Sequence, residues 1–313
     1  MRPIFPTALL AIATALPAAA QDEMTLLLDW FVNPNHGPIV VAEELGFFEE
    51  AGLEVEIVAP ADPSAPPKLV AAGQADLAVS YQPQLHLQVA EGLPLVRVGT
   101  LISTPLNCLL VRGDGPIKTL ADLDGAKVGF SVAGVEEALL KELLAKGGLT
   151  LDAIEMVNVN FSLSPALLTG QVDAVIGAFR NFELPQMEIE GVPGRCFNLE
   201  EEGLPPYDEL IFVANPERMD GDGIARFLGA VERGAQAIVN DPEGMWEVFS
   251  GTAPELRDEL NRGAWELTWA RFALTPAALD AGRYARFEAF MAETGLVEER
   301  RPVSQIAVDV GAE

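Results

Sequence analysis

The residues best equipped for chemistry in this 313-residue chain gather where apolar runs give way to helical ones. "LLLDWFVNPNHGPIVV", residues 26 to 41, breaks an apolar strand with Asp29, Trp30, Asn33 and His36 before a helix begins. Ser80, Tyr81 and Gln82 follow "DLAV", and Ser131 to Val135 follow "KVGF". Asn158 and Asn160 end "IEMVNVN", and Arg180, Asn181 and Glu183 follow "VIGAF". Rings, amides and a carboxylate in one set suit the recognition of a planar polar ligand by stacking and hydrogen bonding. Bond-making chemistry has no comparable footing. There is no Gly-x-Ser-x-Gly, Walker loop or nucleophile with a general base, and the only histidines, His36 and His86, lack metal-ligand spacing. No catalytic residue, metal or cofactor is expected.

Each candidate also has a plainer reading. Trp30 can stack on a ligand ring or seal the strand end against a helix; Asp29 can accept a ligand hydrogen bond or cap the following turn. His36 opens a helix, where a polar side chain supports the first turn as readily as it contacts a ligand. His86 lies among apolar helix positions in "YQPQLHLQVAEG" and reads as structural. "SVAGVEEALLKELL" has the outline of a phosphate cradle, but Glu136 and Glu137 in the first turn oppose a phosphate and suit the helix dipole instead. Glu183, directly after an apolar strand, is the best single contact for a charged or amidine-like ligand.

These loops need elements to hold them, and an internal repeat supplies the plan. "LVAAGQADLAVS" (69 to 80) and "ALLTGQVDAVIG" (166 to 177) share a Gly-Gln-x-Asp turn between a short helix and an apolar strand. Upstream of each copy the order is strand, helix, strand, short helix, with strands as short apolar runs and helices carrying three- and four-residue apolar spacing. Two such units predict an α/β chain of two parallel or mixed-sheet lobes covered by helices. "VGTLISTPLNCLLVRGDG" and "PPYDELIFVANPE" read as the two crossings of a hinge. This division assigns 21–112 plus 211–313 to lobe one and 113–210 to lobe two, with a helical tail from about Pro216. In open α/β sheets the ligand lies beyond the carboxyl ends of the strands. Applied to both lobes, that rule selects Asp29, Trp30, Asn33, His36, Tyr81, Gln82, Ser131, Asn160, Asn181 and Glu183 as a ligand cleft.

Residues 1–20, with Arg2, an apolar stretch from Ala8 to Leu16 and Ala18-Ala19-Ala20, read as a secretory signal peptide, so the mature chain is expected to be exported to the periplasm and soluble. About 290 remaining residues suit two domains or one large one. Forty-seven acidic against twenty basic residues give a formal charge of −27, which repels nucleic acid and anionic membranes. Cys108 and Cys196 are the only cysteines; an exported compartment permits a disulfide, and two buried thiols fit equally.

"DW...N.NH", "GFFEEAGLEVEIV", "LVAAGQADLAVSYQP", "EGLPLV", "LLTGQVDAVIGA", "GVP" and "PPYDELIFVA" together resemble the thiamine pyrimidine-precursor family. That family joins formylaminopyrimidine-binding proteins of ABC transporters to hydroxymethylpyrimidine phosphate synthases. The resemblance covers most of the mature chain, and "GQADLAV" also occurs in sulfonate, nitrate and riboflavin binders. It implies a bilobal periplasmic binding protein of type II fold, monomeric, with an aminopyrimidine ligand and an ABC permease as partners. The synthase branch uses a lysine, a histidine four residues later and a cysteine-rich iron motif. Counting back from Gly92-Leu93-Pro94, Ser80 and Gln84 stand at the first two positions, His86 is displaced by two, and Cys196 stands alone. These departures, with the signal peptide, favour transport over synthesis; the same fold with riboflavin, a sulfonate or nitrate as ligand, and a synthase-like enzyme, are the alternative readings.

Overall fold

The computed structural model describes residues 21–310; the signal-peptide reading lies outside the described residues. Among the described residues ten strands form two five-stranded sheets. The first contains β1 (Asp22–Leu27), β2 (Leu53–Val58), β3 (Leu77–Ser80), β4 (Val96–Ile102) and β10 (Leu210–Ala214), in the order β2-β1-β3-β10-β4. The second contains β5 (Asn107–Arg112), β6 (Lys127–Phe130), β7 (Glu155–Asn158), β8 (Ala174–Phe179) and β9 (Gly194–Asn198), in the order β7-β6-β8-β5-β9. The repeated unit is visible in the equivalence of β2-β1-β3 and β7-β6-β8, parallel in both sheets.

The shared Gly-Gln-x-Asp turn explains why the copies fold alike. Gly73 and Gly170 end their helices at φ +70° and +74°, a left-handed conformation that favours glycine. Three residues on, Asp76 Oδ2 accepts the Thr25 amide and Asp173 Oδ2 accepts the Lys127 amide, each at 2.8 Å. Each turn thus pins its third strand to its first.

Both sheets are mixed, because each crossing adds an antiparallel strand: β10 pairs with β3 and β4, and β5 with β8 and β9. The chain changes sheets between Ile102 and Asn107. Residues 107–112, counted with lobe one from the sequence, therefore pair in the second sheet; the crossing itself is only the short 103–106 segment, and the apolar run continues beyond it. The tail is also less one-sided than its position in sequence suggests. Helix Ala281–Glu293 buries Tyr284 with the first sheet's residues, while its Phe287 and Met291 join the apolar cluster built on Leu109, Leu140 and Ile176. Cys108 and Cys196 form a disulfide linking the neighbouring strands β5 and β9. No described helix is long and apolar enough to cross a membrane.

Candidate functional site

The carboxyl ends of β1, β3, β6 and β8 face one another across a cleft. Trp30 and Tyr81 come to its wall from the first sheet, Glu136, Phe179 and Glu183 from the second, and Tyr207 and Glu209 from the return crossing. No lysine, arginine or histidine is among the described residues on that wall.

Asp29 organises the first-sheet side. Its Oδ1 lies 2.8 Å from His36 Nε2 and its Oδ2 accepts the Tyr81 hydroxyl at 2.8 Å. His36 Nδ1 accepts the Asn33 amide at 3.3 Å, so Nε2 carries the proton and donates to Asp29. Asn33 Oδ1 in turn accepts the Asn35 amide at 2.9 Å, closing the loop that the sequence shows as Asn-Pro-Asn-His. The histidine is fully buried behind the aspartate and orients it. Burial and the Asp29 carboxylate hold the Tyr81 phenol well above its usual range, so it stays a donor.

Three carboxylates supply the opposite character. Glu136 Oε2 accepts the Ser131 amide at 2.6 Å, Glu183 Oε2 accepts the Phe179 amide at 2.7 Å, and Glu209 Oε2 accepts the Leu106 and Asn107 amides at 2.5 and 2.9 Å. Burial pushes Glu136 up to about 8, against the pull of its amide bonds, and the Glu183 and Glu209 charges add to the rise. Glu183 and Glu209 rise to about 7, also through burial. Amide donors hold these acids in place, and the described residues place no cation on the cleft wall to neutralise them. The arrangement is built to receive hydrogen-bond donors, and best of all a positively charged group. Among the described residues no His, Cys, Asp and Glu cluster has the geometry to hold a metal ion.

Of the sequence-selected residues, the structure brings Asp29, Trp30, Asn33, Tyr81 and Glu183 to the cleft wall. The other five take different positions. His36 stands behind Asp29. Gln82 is buried, its Oε1 accepting the Asp208 amide at 2.8 Å. The Ser131 hydroxyl donates to the Asn160 carbonyl, which ties together the loops after β6 and β7, and the Asn160 side chain is exposed. Asn181 is a clasp: its Nδ2 donates to Asn35 Oδ1 at 2.7 Å and to Thr268 Oγ1 at 2.6 Å, holding the second sheet's loop against the first. Rings reinforce that closure, with Trp30 edge-on to Phe161 at 4.6 Å between centroids. Arg180 is turned away, paired with Glu200 at 2.6 Å and donating to the Leu106 and Asn107 carbonyls.

Sequence reasoning missed Glu136, Tyr207 and Glu209. Glu136 reads as a dipole-stabilising acid, but its carboxylate turns into the cleft over Gly177, which has φ +91° and no side chain to obstruct it. A Cβ at 177 would overlap the Glu136 carboxylate. Gly177→Ala is therefore expected to weaken ligand binding by at least tenfold and to lower the melting temperature, through both overlap and backbone strain; calorimetric titration and thermal unfolding check it. Retained affinity would show that Glu136 is dispensable.

Two mixed sheets, two crossings and a cleft between strand ends define a bilobal periplasmic-binding-protein fold of type II. The alkanesulfonate-binding protein SsuA of Xanthomonas axonopodis, solved with MOPS bound, shares it at a TM-score of 0.72 and 18% identity, over 93% of this chain and 99% of that one. The chain belongs to the NMT1/THI5-like family, whose sequence pattern matches residues 33–245. It is 49% identical over 302 residues to a putative thiamine biosynthesis protein of Haemophilus influenzae, covering 96% of each. It is 34% identical to the formylaminopyrimidine-binding protein of Halalkalibacterium halodurans, over 74% of this chain and 70% of that one. A 4-amino-5-hydroxymethyl-2-methylpyrimidine phosphate synthase of Legionella pneumophila is similar at 28% identity, over 86% and 87%. The fold and these relatives give the chain a solute-binding role.

Proposed function

We propose that this protein is the extracytoplasmic solute-binding component of an ABC importer and captures a small aminopyrimidine, a thiamine precursor, in the cleft. The observation that carries this reading is a buried wall of carboxylates beside Trp30 and Tyr81 without a facing cation. An aminopyrimidine is flat, carries an exocyclic amine and takes a proton on its ring, so it offers what that wall lacks. Glu183 accepts from the amine and ring nitrogen, Trp30 stacks on the ring, and the Asn181 clasp secures the closed form that a permease recognises. The protein acts as a monomer.

Sulfonate and nitrate are disfavoured by the same wall, since an anion there meets Glu136, Glu183 and Glu209. The flavin ring of riboflavin offers a single N–H donor beside two carbonyls and two acceptor ring nitrogens, a poorer match to three carboxylates than an amine-bearing ring. The synthase relatives favour an enzymatic reading, but three features weigh against it. Ser80 donates to Gln84 at 3.0 Å where that branch uses its lysine and histidine. His86 is buried against Glu288, Nδ1 to Oε2 at 2.5 Å. Cys196 is consumed by the disulfide.

Isothermal titration of the mature protein with formylaminopyrimidine is expected to show 1:1 binding. Trp30→Ala should weaken it about tenfold or more, because stacking supplies about 0.5 to 1.5 kcal/mol beyond burial. Tight binding of an alkanesulfonate, with none of an aminopyrimidine, would defeat the reading.

A further inference from the structure

We propose that the side-chain NH2 of Asn107 donates to the ring nitrogen of the ligand that Glu183 leaves unpaired, which makes Asn107 the residue that tells an aminopyrimidine from an aminopyridine. The inference rests on the aminopyrimidine reading of the cleft and assigns a residue that the strand-end rule passes over.

Asn107 opens β5, directly after the first crossing, and its side chain lines the cleft at 6% exposure. Its backbone is held from both sides. The amide donates to Glu209 Oε2 at 2.9 Å, and the carbonyl accepts from Arg180 Nη2 at 3.1 Å. The side chain is oriented as well, because its Oδ1 accepts the Gly177 amide at 3.2 Å. A backbone amide can only donate, so the oxygen of Asn107 is the atom that faces Gly177 and the NH2 is turned away from it. Among the described residues no acceptor takes a hydrogen bond from that NH2.

The surroundings give this free donor its use. Of the polar side chains that the second sheet brings to the wall among the described residues, Glu136 and Glu183 are acids and Asn107 is the one amide. On the opposite wall, Asn33 Nδ2 donates to the Phe31 carbonyl at 2.9 Å and the Tyr81 hydroxyl to Asp29 at 2.8 Å, while Asn35 is taken up by the Asn181 clasp. A singly protonated aminopyrimidine carries an amine and one ring N–H, which suit carboxylates, and a second ring nitrogen with a bare lone pair. Ionised carboxylates repel that lone pair, so the ring needs one donor in a wall built of acceptors. The Asn107 amide, fixed at Gly177 where the Glu136 carboxylate also lies, supplies it. Three of its groups are held by the protein and the fourth is left for the ligand, so little ordering remains to be done on binding.

Calorimetric titration of the mature protein tests the assignment with two probes: formylaminopyrimidine, and its aminopyridine counterpart in which the ring nitrogen not adjacent to the amine is replaced by CH. Asn107→Ala is expected to weaken the pyrimidine about five- to tenfold more than the pyridine, the size of one net hydrogen bond. Taking the ratio of variant to wild-type affinity for each probe cancels the different basicity of the two rings. It also cancels any general loosening from the freed Gly177 amide, which a merely structural role would spread over both probes alike. If Asn107→Ala does not fold, Asn107→Asp decides: measured at about pH 9, where the acid is ionised, it keeps an oxygen for the Gly177 amide and replaces the donor by an acceptor. The pyrimidine should again lose more than the pyridine. Equal weakening of both probes, or no weakening of either, overturns the inference by assigning the ring nitrogen to another donor, a protonated cleft acid among them, and leaves the aminopyrimidine reading intact. Failure of the wild type to bind either probe removes that reading and this inference together.

Discussion

Glutamine in place of Glu183 is expected to weaken aminopyrimidine binding by about a hundredfold while raising the melting temperature of the empty protein. Both effects come from the same carboxylate. Glu183 is 7% exposed, accepts one amide from Phe179, and meets no cation on the cleft wall. A hydrogen bond to a charged group contributes about 1.5–3 kcal/mol, equivalent to about ten- to a hundredfold in affinity. Glutamine loses that charge and also risks presenting its own NH2 to the ligand's amine, which places the effect near the upper end. In the empty protein the balance reverses. Burial raises Glu183 to about 7, so its ionised form opposes folding, and a neutral isostere that keeps the Phe179 contact relieves this. Titration calorimetry and thermal unfolding without ligand measure the two effects separately. Affinity within threefold of the wild type would remove Glu183 from the site. An unchanged or lower melting temperature would remove the argument that burial of the Glu183 charge costs stability.

The repeat made the architecture legible, because its signals are local. Gly73 and Gly170 must adopt a left-handed backbone, and Asp76 and Asp173 must reach an amide on a strand already placed beside them. A short sequence pattern therefore carries a three-strand arrangement. The rule that ligands lie beyond strand ends then placed Asp29, Trp30, Asn33, Tyr81 and Glu183 on the cleft wall. What sequence could not show was orientation set at long range. Glu136 occupies a helix first turn like any dipole-stabilising acid, and only the missing side chain of Gly177 on another strand gives its carboxylate room. Asp208 and Glu209 are adjacent acids that fold in opposite directions: Asp208 pairs with Arg283 and Thr100, Glu209 with the first crossing. One signal was available, since two acids directly before the wholly buried run "LIFVA" have little chance of being solvated. Asn181 and His36 illustrate the converse. Their types suit a ligand, but each is used to hold other residues in place.

Stability of the empty protein is expected to fall as pH rises from about 5 to about 8, and substitution of Glu136 by glutamine should flatten that slope. Glu136, Glu183 and Glu209 have ordinary values of 4.5 and are raised in the fold to about 8, 7 and 7. Between those limits the folded protein holds more protons than the unfolded chain, so stability declines with pH by linkage. The contribution is complete below the unfolded value and is lost as pH passes through the folded values. Each unit of displacement corresponds to about 1.4 kcal/mol, which makes Glu136 the largest single contributor. Groups shifted the other way do not cancel the trend. Glu288 is held low chiefly by its bond from His86, against the opposing effect of burial, and Asp122 is held low by the Lys118 and Thr119 amides; their contributions are lost only on acidification below the ordinary carboxylate range. The overall charge of −27 does not produce the slope either, because ordinary carboxylates are ionised well before pH 6 in folded and unfolded chains alike. Thermal unfolding across pH 5 to 9, without ligand, measures it. A melting temperature that rises or stays level between pH 6 and 8 would mean that cations or water neutralise the cleft acids. A Glu136→Gln profile parallel to the wild type would assign the slope to groups elsewhere. Saturating ligand offers the complementary test: a donor-rich solute that lets these carboxylates ionise should protect the protein most at the alkaline end, where the empty cleft is least stable.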